Sequence, residues 1–193
     1  GSSAWGGFIY RPEDVRDWTT LISSVRSPKR EGITAETLEA TPAAHFVGHR
    51  DAVFSMDWSS DGRFLVSGGK ATELLVHSIV DLDLSTDHKA GFTPELEPSH
   101  RLVRDRGWIS TVRFSPDMRT IASGGLDQTV SVTGWLFGAD EAIAIGAHRG
   151  LVHCIRWSPD KQGNHLLSAS GDTTCALWDV EDRTLVSVFD AHS

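Results

Sequence analysis

The chain repeats itself. Three segments share one order of residue types: Val53–Gly62 then Arg63–Gly69, Ile109–Met118 then Arg119–Gly125, and Val152–Asp160 then His165–Gly171. Each opens as a short strand ending in an aromatic, Trp58, Phe114 or Trp157. A Ser-x-Asp turn follows, then an apolar run ending in Ser67, Ser123 or Ser168. Ten residues beyond each of those serines a third strand ends, at His77, Thr133 and Trp178. One spacing kept three times is hard to obtain by chance.

Short strands separated by turns and recurring about every 40–45 residues predict an all-β fold, a β-propeller. The steps here are 56 residues from Ser67 to Ser123 and 45 from Ser123 to Ser168. The first is lengthened by Asp81–His100, whose Pro, Gly and acidic content predicts a surface loop. The reading divides the chain into an extension over 1–44 and a partial propeller over 45–193. Its units run about 45–80, 100–137 and 146–180, with the start of a fourth at 188–193. Propellers close with roughly 4–8 blades, and three would leave open sheet edges. The expectation is therefore a piece of a longer protein; the absence of an initiator Met fits processing, a tag remnant or a fragment alike.

Composition narrows the function. Lys and Arg number 18 against 26 Asp and Glu, a formal charge of −8, which argues against nucleic-acid binding through a basic surface. No apolar run approaches the roughly 20 residues that span a bilayer. The first residues lack the charged and apolar regions of a secretory signal. Cys154 and Cys175 are too few for a disulfide framework and read as small core residues in a reducing compartment.

Gly48 and His49, with the aromatic, serine and third-strand positions, resemble the WD repeat. The third unit carries the full polar signature of that family: His148, Ser168, Asp172 and Trp178 followed by Asp179. The resemblance implies that His bonds to Ser and Asp, and Ser to Trp, so His49 and His148 are structural. Such a buried polar chain is favourable only when every member is satisfied. The first unit has Ser67 but Ala71 and His77 at the Asp and Trp positions. The second has Ser123 and Asp127, with Thr133 for Trp and no Gly-His before Trp108.

The run Ser170–Asp179 resembles the beta subunit of heterotrimeric G proteins more closely than a general WD repeat. Ile121–Asp127 looks like that subunit's second blade, and Gly48–Trp58 with Leu65–Ser67 like its first. The likeness covers about residues 45–193 and implies seven blades in a complete chain. That family begins with a long helix coiled against a gamma subunit. Here Pro12, Glu13 and Asp14 open a short helix over about 12–26, with Val15, Trp18, Ile22 and Val25 at a/d spacing. Two heptads fall short of the three or four that define a coiled coil, so a helix packed on the propeller is the simpler expectation.

The resemblance implies a transducer without catalysis or cofactor. The beta–gamma dimer holds a GDP-loaded alpha subunit, nucleotide exchange releases it, and the freed face engages effectors. It implies a cytoplasmic protein, with a peripheral place on the plasma membrane's cytoplasmic face through gamma. Trp108 and Leu126 align with residues of the contact face, and Phe54 replaces a Tyr there. Leu151 also replaces a Tyr, Ala52 a contacting Lys, Arg50 a Leu and Ser110 a Met. Trp is the best interface anchor of these types.

Two alternatives remain. A general WD scaffold of another assembly is favoured by the altered contact positions and opposed by the ten-residue run. An enzyme is disfavoured. No His pair has metal-ligand spacing beside a carboxylate, neither Cys forms a C-x-x-C, and Gly124-Gly125 does not precede a helix.

Overall fold

The computed structural model describes residues 5–9, 44–80, 82, 94–104, 107–136, 142–159 and 163–190, and every regular element among them is a β-strand. The helix expected over 12–26 lies outside the described residues, as do most of 81–93 and the last three residues.

β1 (Trp5–Ile9) pairs antiparallel with β2 (Ala44–His49). The chain then makes an antiparallel meander of β3 (Val53–Trp58), β4 (Phe64–Gly69) and β5 (Glu73–Ser78). β6 (Glu95–Leu96) lies parallel to β2, and β7 (His100–Val103) closes the first blade on β5. So the far end of the stretch expected as a loop returns to two sheets. The second blade is β8 (Ile109–Phe114), β9 (Thr120–Gly125), β10 (Thr129–Gly134) and β11 (Ala142–Ala147). The third is β12 (Val152–Trp157), β13 (His165–Ser170), β14 (Cys175–Asp179) and β15 (Thr184–Phe189). Three four-stranded antiparallel sheets in sequential order are the blades of a propeller.

Sheet and sequence unit are offset by one strand. The outer strands of the first two blades, β7 and β11, belong to the stretches of sequence that build the blade after them. Each unit therefore straddles two sheets, and the chain itself ties neighbouring blades together.

The hairpin between the first two strands owes its shape to the Ser-x-Asp sequence. Ser59 Oγ donates to Asp61 (2.6 Å) and accepts the Phe64 N–H (2.9 Å). Ser115 repeats this with Asp117 (2.6 Å) and Thr120 (3.0 Å). Such side-chain bonds satisfy backbone donors that a tight turn leaves over.

A blade buries both faces of its central strands, which is why β4 and β9 read as continuous small and apolar runs. Val66, Leu74 and Val76 of the first blade pack with Ile109, Val112, Phe114, Ile121 and Trp135 of the second. Ala122, Val130 and Val132 pack in turn with Ile155, Leu166, Ala176 and Trp178 of the third. Trp135 lies two residues past the expected third-strand aromatic. It is fully buried, donates to the Met118 carbonyl (2.8 Å), and meets Phe64, His100 and Phe114 edge-on.

The innermost strands are joined by side chains. Ser55 Oγ accepts the Val112 N–H (3.1 Å), and Asp57 accepts the Phe114 N–H (2.9 Å). The two cysteines are free, as expected, but depart from expectation in being only half-buried. They sit opposite Ala169 on the face of the third blade turned away from the second, where Leu167 and Phe189 are also exposed.

Gly124 shows how closely the blades nest. A Cβ there would lie 2.6 Å from Val152 Cγ1 and 2.9 Å from Ile155 Cδ1, and Gly68 is crowded in the same way by Ile109 and Val112. Gly124→Ala should therefore force the second and third blades apart and cost about 1–3 kcal/mol, read as a lower urea midpoint at unchanged slope. An unchanged midpoint would contradict this packing.

Candidate functional site

Three polar ties hold the connection entering each blade against the turn between that blade's second and third strands. Each uses different chemistry.

In the third blade the tie runs Trp178, Ser168, His148, Asp172. The Trp178 indole N–H donates to Ser168 Oγ (2.7 Å), and Ser168 Oγ lies 2.7 Å from His148 Nε2. His148 Nδ1 is 3.1 Å from Asp172 Oδ2. One neutral tautomer satisfies every link: Nδ1–H donates to the carboxylate and Nε2 accepts the serine proton. Burial alone would raise the Asp172 carboxyl. The Arg149 N–H, the Thr174 hydroxyl and N–H, and His148 outweigh burial and hold it far below the usual carboxylate range.

In the second blade an arginine takes the histidine's place. Arg104 is buried, and its Nη2 donates to Asp127 (3.1 Å), Thr129 Oγ1 (2.8 Å) and Ser131 Oγ (3.2 Å). Burial weakens the charged guanidinium and Asp127 opposes that effect. Arg104 Nη1, Ser123 Oγ and Thr133 Oγ1 are buried without a protein partner. Ser123 is thus placed as Ser168 is, yet bonds to neither a His nor a Trp.

In the first blade His49 Nε2 lies 2.7 Å from Ser67 Oγ, but His77 turns away and donates from Nε2 to the Val47 carbonyl (2.9 Å). With Ala71 in the Asp position, the acid moves across the junction. Asp51 caps the Ala52 N–H (2.8 Å) and pairs with Lys70 (3.1 Å). Burial first, then nearby His77 and Arg101, push His49 down to about 4, with Glu73 opposing.

Above the second tie is an exposed cluster. Phe54 and Trp108 are each nearly half exposed, with ring centroids 6.1 Å apart. Lys70 Nζ stands 5.7 Å from the Trp108 centroid, over its face. The Leu126 N–H donates to the Trp108 carbonyl (2.9 Å), which fixes exposed Leu126 beside it. The structure thus brings Phe54, Trp108 and Leu126 to one rim. Leu151 occupies the matching place one blade on, where its carbonyl accepts from Gly171 (2.9 Å), and it is less exposed. Aromatic rings, an aliphatic side chain and a cation on rigid strands form a surface suited to docking.

Arg104, Lys70 and Trp135 were not legible as functional or packing residues. Lys70 had a signal: it directly follows Gly68-Gly69, as Leu126 follows Gly124-Gly125. Among the described residues, no three His, Cys, Asp or Glu side chains gather as a metal-binding group, and no helix is long and apolar enough to cross a membrane.

Blades of this topology, tied in this way, define part of a β-propeller. Three segments, residues 40–78, 96–133 and 142–179, match the family described as "WD domain, G-beta repeat", and the chain belongs to that family. It is similar to the guanine nucleotide-binding protein subunit beta of Dictyostelium discoideum, 30% identical over 93% of this chain and 47% of that protein. The subunit beta of Arabidopsis thaliana is 31% identical over 74% of this chain and 35% of its own length. That of Schizosaccharomyces pombe is 34% identical over 71% and 39%. The chain thus spans between a third and a half of the length of these curated relatives.

The ties predict unequal costs for one substitution. Ser168→Ala leaves Trp178 Nε1 and His148 Nε2 buried and unpaired, and should cost about 2–3 kcal/mol. Ser123→Ala removes a hydroxyl that has no partner and should be near neutral. Chemical denaturation of the two variants checks this, and equal losses would refute it.

The His49 shift predicts a pH dependence. The unfolded chain protonates His49 near 6.5, the folded one near 4, so stability is full above 6.5 and falls as the pH drops toward 4. His49→Gln should flatten that part of the profile, measured as unfolding free energy against pH for both proteins.

Proposed function

We propose that this chain is the first part of the propeller of a G-protein beta-type subunit. It does not catalyse. It docks a GDP-loaded alpha subunit and, after nucleotide exchange, effectors, through the rim centred on Trp108. In this reading a gamma subunit is its constant partner. The protein is cytoplasmic and peripheral to the plasma membrane through gamma.

The exposed Trp108, flanked by Phe54, Lys70 and Leu126, carries the reading. A tryptophan spent on surface rather than core needs a reason. This blade already has Ile109, Val112 and Phe114 buried on the same strand. The similarity to beta subunits supports the same reading. Because one rim serves alpha and effectors, their binding is mutually exclusive and needs no change of shape.

A second reading, a WD scaffold of another assembly, draws on Arg50, Ala52, Ser110 and Leu151. Those positions differ from the contact residues that the resemblance implies.

The test is binding of the full-length protein, with gamma, to an alpha subunit loaded with GDP or with a GTP analogue. The GDP form should bind more tightly, and Trp108→Ala should weaken it by about 30-fold or more, as for a central anchor. Binding that ignores both the nucleotide and Trp108 would favour the second reading.

A further inference from the structure

We infer that Arg104 is a positioning residue for Trp108, gripping from below the backbone that presents the ring. The inference rests on the docking role assigned to Trp108 above.

The coupling is a short series of contacts. Arg104 holds Asp127 through an ion pair at 3.1 Å between two nearly buried side chains. Asp127 directly follows Leu126, whose N–H bonds to the Trp108 carbonyl (2.9 Å). From the other side, Gly107 at φ +68° lets the backbone pass close to Asp127, where a Cβ would come 2.9 Å from the Asp127 nitrogen. Asp127 also accepts from Thr129 N (3.2 Å) and Thr129 Oγ1 (2.7 Å). Both carboxylate oxygens are therefore held, and Trp108 hangs from the held turn.

The third blade supplies the internal comparison. There His148, Asp172, Gly150, Leu151, Gly171 and Thr174 repeat the arrangement, with the Gly171 N–H on the Leu151 carbonyl. His148 precedes its strand at Val152 by four residues, as His49 precedes Val53, whereas Arg104 precedes Ile109 by five. A longer connection needs a longer side chain to reach the same turn. Arg104 meets that need and adds Thr129 and Ser131 as acceptors. In the first blade the equivalent tie, Asp51 to Lys70, lies at the surface. The buried cationic grip is the one beneath Trp108.

Arginine geometry matters here. Three acceptors converge on one terminal nitrogen, so a lysine keeps the charge and part of the grip, while glutamine loses the charge.

The test uses the full-length protein with gamma, labelled with 5-fluorotryptophan, and the Trp108 fluorine resonance assigned with Trp108→Phe. Arg104→Gln should broaden or split that resonance and leave those of Trp135 and Trp178 in place. It should also speed dissociation of the GDP-loaded alpha subunit about tenfold, with Arg104→Lys recovering most of the loss. A lowered urea midpoint with an unchanged Trp108 resonance and unchanged dissociation would overturn the inference and leave Arg104 a structural substitute for histidine. Should Arg104→Gln fail to fold, Asp127→Asn is read by the same two measures. If Trp108→Ala itself leaves alpha binding unchanged, the docking reading falls. The resonance then decides alone: a moved resonance upholds positioning and an unmoved one overturns it.

Discussion

A propeller blade must bury both faces of its central strands, and the connection entering the next blade must cross that buried junction without leaving polar groups unpaired. The third blade meets that constraint in full, whereas the second leaves Arg104 Nη1, Ser123 Oγ and Thr133 Oγ1 without a partner. The Trp178–Ser168–His148–Asp172 chain meets it with four side chains, each satisfied by its neighbour. Its value lies less in any single bond than in the cost of leaving a buried donor alone.

The same constraint explains why the other two blades hold their shape after losing parts of that chain. Where the second blade lacks histidine and tryptophan, Arg104 reaches Asp127, and Trp135 fills the interface from two residues further along. Where the first blade lacks the acid, Asp51 supplies one from the facing loop, and His77 finds a backbone carbonyl instead of Ser67. The substitutes are not equivalent. The third tie is buried and built on a histidine, the second is a buried ion pair of Arg104 with Asp127, and the first is partly exposed. The rim inherits that order, with Trp108 resting on the ionic tie.

What the sequence revealed follows from the same physics. Turns depend on residues close along the chain, so the Ser59-x-Asp61 and Ser115-x-Asp117 hairpins were legible, whereas the third polar chain was legible through the resemblance to the WD repeat. Arg104 was not, because one extra residue takes it out of the histidine's register and only the fold returns its guanidinium to Asp127. Trp135 was hidden likewise, since its partners Phe64 and His100 lie in another blade. Cys154 and Cys175 read as core because their strands are apolar. Their exposure depends on what packs against that face, which spacing along the strand does not encode. Phe54, Trp108 and Leu126 could be chosen by resemblance, but their meeting at one rim with Lys70 is a product of the blade-to-blade junction.

Amide hydrogen exchange in the full-length protein tests this account most directly, at the three equivalent N–H groups that close the junctions: Lys70 on Ala52, Leu126 on Trp108 and Gly171 on Leu151. If the buried ties hold the connections, Leu126 and Gly171 exchange slowly, on the scale of the core strands, and Lys70 exchanges distinctly faster. Fast exchange at Leu126 or Gly171, or equal rates at all three, would contradict the claim that these ties set the rigidity of the rim.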